Sequence, residues 1–146
     1  MADSKVTGGR GGSAGAGGTG GGGTGNAPVP DEKAIARVAP VKLWIEEVGL
    51  AGKGHEAERA GYVRDLAAFC RFAGSGPKEV LESCFRKTKF GDLAISAKGR
   101  REITAQIDGY VESLGLAGRD AAVAGNRIRS FLIHNGVYMQ GKVAYP

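Results

Sequence analysis

Two clusters of basic residues lie within sixteen positions of each other and could bind phosphate groups. They flank a segment that the sequence predicts to be a loop, and they comprise Arg86, Lys87, Lys89, Lys98, Arg100 and Arg101. Only one acidic residue, Asp92, lies between the first and last of them. Guanidinium and ammonium groups contact phosphates, and loops and helix N-termini add backbone N–H donors. One such cluster is commonly a solubilising surface, but two so close together favour a polyanionic partner.

A second candidate phosphate-binding surface is a helix face on which Arg64 and Arg71 lie seven residues apart. Ala60 and Ala67 project to the same face, and such small residues would allow a DNA backbone to approach closely. The alternative is an ordinary solvated face, because Arg64 has acidic neighbours in the sequence. Both interpretations remain open at this point.

A third candidate surface lies on the last predicted helix, opposite its apolar stripe. Asn126 and Ser130 project there beside Arg129, and Arg119 shares that side. Arg and Asn side chains can pair bidentately with base edges, and a Ser hydroxyl can contact a phosphate. The same combination also occurs on plain solvent-exposed faces. We therefore take Asn126, Arg129 and Ser130 as candidate DNA contacts.

The composition predicts one folded domain that follows a long glycine-rich segment. The chain has 146 residues and a net charge of +5, and twelve of its 26 glycines lie between Gly8 and Gly25. Such a stretch buries no large apolar side chains and loses much entropy on ordering. We expect a disordered tail over 1–30, a folded domain over 31–142 and a C-terminal tail over 143–146. Because neither a signal-peptide core nor a membrane-spanning stretch occurs, we expect a cytoplasmic protein with no membrane partner.

No arrangement of residues resembles an active site or a metal site. His55 and His134 have no Cys, Asp or Ser arrangement around them that suggests a catalytic triad. Cys70 and Cys84 lack metal-ligand spacing, and we interpret them as reduced thiols packed in helices. We therefore predict no catalysis, no metal and no cofactor.

Apolar residues recur at helical spacing through the whole folded part, which predicts an all-α fold. A short leading helix and four main helices are expected to start at or near Pro40, His55, Pro77, Ser96 and Asp120. Their predicted core positions are Val41, Trp44, Ile45, Val48, Tyr62, Leu66, Phe69, Ala73, Val80, Leu81, Cys84, Phe85, Ile103, Ile107, Tyr110, Val111, Leu114, Ala121, Ala124, Ile128, Phe131 and Leu132. The segment 86–95 is predicted to be a loop, and no strand is predicted.

Two of these helical patterns resemble the core-binding domain of tyrosine recombinases of the phage-integrase type. They are Tyr62-x3-Leu66-x2-Phe69-x2-Phe72 and Ile128-x2-Phe131-Leu-x2-Asn135-Gly136. The resemblance extends over roughly 38–142 and implies a SAM-like helical bundle that forms half of a clamp around duplex DNA. It implies double-stranded DNA as a partner, and recombinase protomers or a separate catalytic domain as further partners. We expect a monomer in the absence of DNA.

The catalytic half of that family is not found in the sequence. No HxxR motif occurs, and Tyr145 lacks the helical context of a nucleophile, so the resemblance does not extend to catalysis. Two other functions remain open: a SAM-like protein–protein interaction domain, and an RNA-binding protein to which the glycine-rich tail contributes. The basic clusters favour nucleic acid over the former, and the resemblance alone favours DNA over RNA.

Overall fold

The computed structural model describes residues 31–140, and this part of the chain is mostly helical. Its elements, in chain order, are α1 (Glu32–Ala36), α2 (Ala39–Glu47), α3 (Glu56–Ala73), α4 (Pro77–Glu82), β1 (Phe85–Lys87), β2 (Leu93–Ile95), α5 (Ala97–Ser113) and α6 (Gly118–His134). All five predicted helices are present, and α1 is an additional one. The helix predicted from Pro77 is shorter than expected, because α4 ends at Glu82 and leaves Cys84 and Phe85 outside it. The expected tails over 1–30 and 143–146 lie outside the described residues.

Local capping residues explain where several helices begin. The Ser96 hydroxyl accepts a hydrogen bond from the Gly99 amide at 2.9 Å, so Ser96 caps α5 as predicted. Asp31 caps α1 in the same way through the Ala34 amide. Pro40 and Pro77 stand in the first turns of α2 and α4, where the missing N–H has no partner to lose.

The hydrophobic core lies around α3, which packs against α1, α4, α5 and α6. The Trp44 indole of α2 is fully buried, and its ring lies 5.5 Å from that of Phe131 in an edge-to-face arrangement. Most predicted core positions are buried, but Leu114 lies largely at the surface. Phe72, part of the pattern that resembles recombinases, is 48% exposed, and its ring lies 5.9 Å from that of Tyr110 in an edge-to-face arrangement.

The prediction that segment 86–95 is a loop was wrong, because this segment forms most of a β-hairpin. Strands β1 and β2 are antiparallel, with Phe85 opposite Ile95 and Lys87 opposite Leu93. Each strand has three residues, which is too short for the alternation of apolar and polar residues that identifies a strand in a sequence. The all-α prediction therefore holds as a mostly helical fold with one small two-stranded sheet.

Candidate nucleic-acid interface

The tip of the hairpin is a three-residue turn that projects Lys89 and Phe90 from the fold. The Gly91 amide donates to the Thr88 carbonyl at 3.0 Å, and the Thr88 amide donates to the Asp92 carbonyl at 2.7 Å. Gly91 has a φ of 90°, the left-handed conformation that closes this kind of hairpin. Lys89 is exposed, and Phe90 is 80% exposed. The turn thus presents one cation and one aromatic ring to solvent.

The base of the hairpin is fixed to the start of α5. The Ser96 amide donates to the Cys84 carbonyl at 2.8 Å, directly before α5 begins. A Cβ atom on Gly99 would lie 2.0 Å from the Ser83 carbonyl oxygen, so only glycine permits this approach of α5 to the chain before β1. The two basic clusters, separate in the sequence, are therefore held on adjoining elements.

These two elements carry a set of six exposed cations, which we call the basic end. Its members are Arg86, Lys87, Lys89, Lys98, Arg100 and Arg101. Lys98 lies 3.8 Å from Glu102, and both side chains of this ion pair are largely exposed, so the pair is weak. Arg86, Lys87 and Arg101 form no ion pair within residues 31–140. The basic end is therefore positively charged and open to a ligand.

A second exposed aromatic residue lies beside the basic end. Arg100 Nη1 is 3.5 Å from the Tyr138 carbonyl oxygen, and the neighbouring Val137 and Met139 are buried. The Tyr138 side chain itself is 75% exposed. Neither Phe90 nor Tyr138 was a predicted contact. The Lys-Phe-Gly-Asp turn could have indicated Phe90, because glycine after a short polar segment is a hairpin signal.

Arg64 and Arg71 lie on α3, outside the basic end. Both arginines are exposed, as predicted, but Ala67 between them is fully buried. The predicted face of small residues is therefore wrong at Ala67, because several helices pack around α3, whereas Ala60 is exposed as predicted. Arg71 is close enough to Tyr110 to interact with it electrostatically. Tyr110 lies in the last turn of α5, whereas the basic end includes the start of that helix.

The prediction that Arg129 lies on an exposed face of α6 was wrong. Its side chain is 5% exposed, and Nη2 lies 3.4 Å from Asp108 of α5. Nη1 donates to the Asn126 side-chain oxygen at 2.9 Å. Burial lowers the pKa of Arg129, and the Asp108 carboxylate opposes that shift. Gly125 makes room for the guanidinium, because a Cβ there would lie 2.8 Å from Nη1. Arg129 therefore joins α6 to α5.

Asn126 and Ser130, the other two predicted contacts on α6, also form hydrogen bonds within the fold. The Ser130 hydroxyl accepts a hydrogen bond from the Trp44 indole N–H at 3.0 Å. The neighbouring Arg127 lies over the Tyr62 ring, 4.7 Å from its centroid, and pairs with Asp65 at 2.7 Å. Polar groups on this helix thus hold helices together.

The two cysteines are buried and form no disulfide. Burial raises the pKa of the Cys70 thiol to about 12 and also raises that of Cys84. Across residues 31–140, no three His, Cys, Asp or Glu side chains come together in a way that could hold a metal ion. None of the helices in that range is both long and apolar enough to cross a membrane.

Comparisons of the chain with models of protein families, with curated proteins and with solved structures found no match. The resemblance to recombinase core-binding domains therefore stays a prediction from the sequence. Function has to be argued from the geometry and charge of the site.

Proposed function

We propose that residues 31–140 form a DNA-binding module that contacts the phosphates of duplex DNA through the basic end. The observation that carries this proposal is the placement of six exposed cations on two adjoining elements, with a single weak ion pair among them. Positive charge at this density attracts polyanions and raises the rate of encounter with them.

The position of the basic end on α5 also favours an anionic ligand. The first turn of this helix contains no acidic residue, and Lys98, Arg100 and Arg101 lie in its first two turns. Cations at a helix N-terminus are unfavourable, because the helix dipole places partial positive charge there. A phosphate would relieve that repulsion and would also accept hydrogen bonds from free backbone amides.

Duplex DNA is favoured as the polyanion by the resemblance to recombinase core-binding domains. On that basis the chain is the binding half of a clamp in DNA integration or recombination, and it has no catalysis of its own. Its proposed protein partners are recombinase protomers or a separate catalytic domain. An isolated half-clamp would bind weakly, because specific affinity normally requires the full interface.

RNA is the second candidate ligand, and the exposed Phe90 and Tyr138 rings favour it. Aromatic side chains stack on unpaired bases in many RNA-binding proteins. A protein–protein interaction domain, the other possibility from the sequence, has no equally specific feature in its favour among residues 31–140.

The proposal is tested by fluorescence anisotropy of the full chain with labelled duplex DNA, duplex RNA, single-stranded RNA and heparin over a salt series. If four to six phosphates are neutralised, the log–log slope against duplex DNA is expected to be about −4 to −5. Replacing Arg86, Lys87, Lys98 and Arg101 with Ala should flatten that slope to about −1, because each phosphate contact contributes roughly −0.9.

A double variant, Arg64→Ala with Arg71→Ala, is the matched control, because it removes exposed arginines outside the basic end. It should leave the slope unchanged, and circular dichroism checks that both variants fold. An unchanged slope in the quadruple variant would show that the basic end does not contact DNA. No binding of the unaltered chain to duplex DNA at about 50 mM salt would overturn the proposal, and stronger binding to RNA would replace DNA with RNA.

A further inference from the structure

We propose that Phe90 is a wedge that inserts between base pairs in the minor groove and kinks the duplex bound by the basic end. This inference rests on the proposed function and adds to it a specific contact and a change in DNA shape. Apolar wedges that partly unstack a base step and bend DNA are a recurrent feature of minor-groove binding.

Phe90 has no packing role among the described residues. Its ring is 80% exposed, and the Nζ atom of the neighbouring Lys89 lies 5.2 Å from the ring centroid. An aromatic ring in water is unfavourable, and turns of this type are more often built from small polar residues. Packing within the fold thus does not explain why this position is a phenylalanine. Insertion between two base pairs would supply the apolar contact that the ring lacks.

The turn geometry holds Phe90 ready for insertion. Two backbone hydrogen bonds, of 2.7 and 3.0 Å, close the turn, and the Phe90 amide donates to the Thr88 hydroxyl at 3.3 Å. The base of the hairpin is fixed by Ser96 and Gly99. The backbone of the tip therefore loses little conformational freedom on binding, which favours insertion.

The length and charge of the hairpin suit insertion of its tip into a minor groove. A two-stranded ribbon is wider than the roughly 6 Å of an undeformed minor groove, so insertion requires the groove to widen as the duplex kinks. From Phe85 to Lys89 the chain extends about 13 Å, which exceeds the roughly 7.5 Å depth of that groove. Phe90 could therefore reach the base edges while Arg86, near the base of the hairpin, stays at the level of the phosphates. Lys89 lies beside the ring at the tip and would contact the backbone that borders the groove. Leu93, 68% exposed on β2, adds an apolar surface behind the tip.

The test measures both affinity and DNA bending with a duplex that carries a donor and an acceptor fluorophore at its two ends. Binding of the unaltered chain should shorten the end-to-end distance. Phe90→Ala should abolish the shortening and weaken duplex binding about tenfold, which is the low-to-middle range for loss of one aromatic–base contact. Phe90→Leu should retain most of the bend, because leucine also acts as a wedge. Leu116→Ala, which removes an exposed apolar side chain far from the hairpin in sequence, is the control and should change neither quantity.

A second variant, Phe90→Trp, reports directly on the environment of the tip. The natural Trp44 is fully buried, so its emission gives a constant background, and the introduced indole should be quenched on binding duplex DNA. Unchanged bending and affinity in Phe90→Ala, or no quenching in Phe90→Trp, would overturn the wedge while duplex binding by the basic end stands. Equal loss in Phe90→Leu and Phe90→Ala, with stronger quenching by single-stranded nucleic acid, would replace the wedge with stacking on unpaired bases. If the unaltered chain binds no duplex, the wedge and the proposed function fall together.

Discussion

Helix α6 and the basic end are both rich in basic side chains, yet they hold those side chains in opposite ways. On α6, Arg127 pairs with Asp65 and Arg129 pairs with Asp108, so both guanidiniums join α6 to another helix. At the basic end, Arg86 and Arg101 are exposed and form no ion pair with described residues. The same residue type thus serves the fold in one region and is free for a ligand in the other.

The comparison shows what decides between these two roles. A guanidinium that has lost water needs a carboxylate or amide oxygen close by, and Asp108 and Asn126 supply these to Arg129. An exposed guanidinium keeps its water and can exchange it for a phosphate. Burial and the nearest carboxylate, rather than the position of arginine on a helical projection, therefore separate arginines that hold the fold from arginines that are available to a ligand.

Among the substitutions that test this distinction, Arg129→Ala is expected to have the largest effect on stability. The substitution removes a packed side chain and its ion pair, and we expect the free energy of unfolding to fall by about 2–3 kcal/mol, as measured by urea denaturation. The loss stays below that of a fully buried pair because Asp108 is about half exposed. Where the variant is still folded, the salt slope of duplex binding should not change.

Arg101→Ala is the matched control, because it removes an exposed arginine from the basic end. Its free energy of unfolding should change by less than about 0.5 kcal/mol, while its salt slope becomes shallower by about 0.9. If Arg129→Ala flattened the slope and Arg101→Ala did not, the roles assigned to the two regions would be reversed.

A smaller loss of stability is expected for Gly99→Ala. This substitution disturbs the contact between α5 and the hairpin without removing any charge of the basic end. The added methyl group would collide with the Ser83 carbonyl, so the hairpin must shift relative to α5. We expect a loss of about 1–2 kcal/mol in the free energy of unfolding and, unlike for Arg129→Ala, a weaker affinity for duplex DNA.

Gly109→Ala on the same helix provides the control for that substitution. Its Cβ would lie 3.4 Å from the edge of the Phe72 ring, which is ordinary contact, and alanine is the better helix former. This variant should be neutral or slightly stabilising and should bind DNA normally. Equal losses of stability in the two glycine variants would mean that the approach of α5 to the hairpin has no special importance.

The helices could be predicted from the sequence because their signals are local. Ser96 caps α5, Pro77 begins α4, and Asn135 with Gly136 ends α6, each as expected. The hairpin was missed because its strands are three residues long, so that only the turn around Gly91 marks it.

The candidate site could be predicted only in part. The two basic clusters could be recognised in the sequence from their charge, and the structure shows that they lie on adjoining elements. The burial of Arg129 was not predictable, because it depends on space left by Gly125 and on a carboxylate from another helix. Ser130 likewise bonds to Trp44, which lies 86 positions away in the sequence. Contacts of this range depend on tertiary packing, which periodicity within one helix does not describe.

The most direct test of the central claim is lysine footprinting of the full chain by acetylation and mass spectrometry, with and without duplex DNA. The account predicts that DNA protects Lys87, Lys89 and Lys98 at the basic end. The other exposed lysines among residues 31–140, which are Lys33, Lys42, Lys53 and Lys78, should be modified equally in both samples. Protection of that second group, with Lys87, Lys89 and Lys98 unprotected, would contradict the account and place the DNA on another surface.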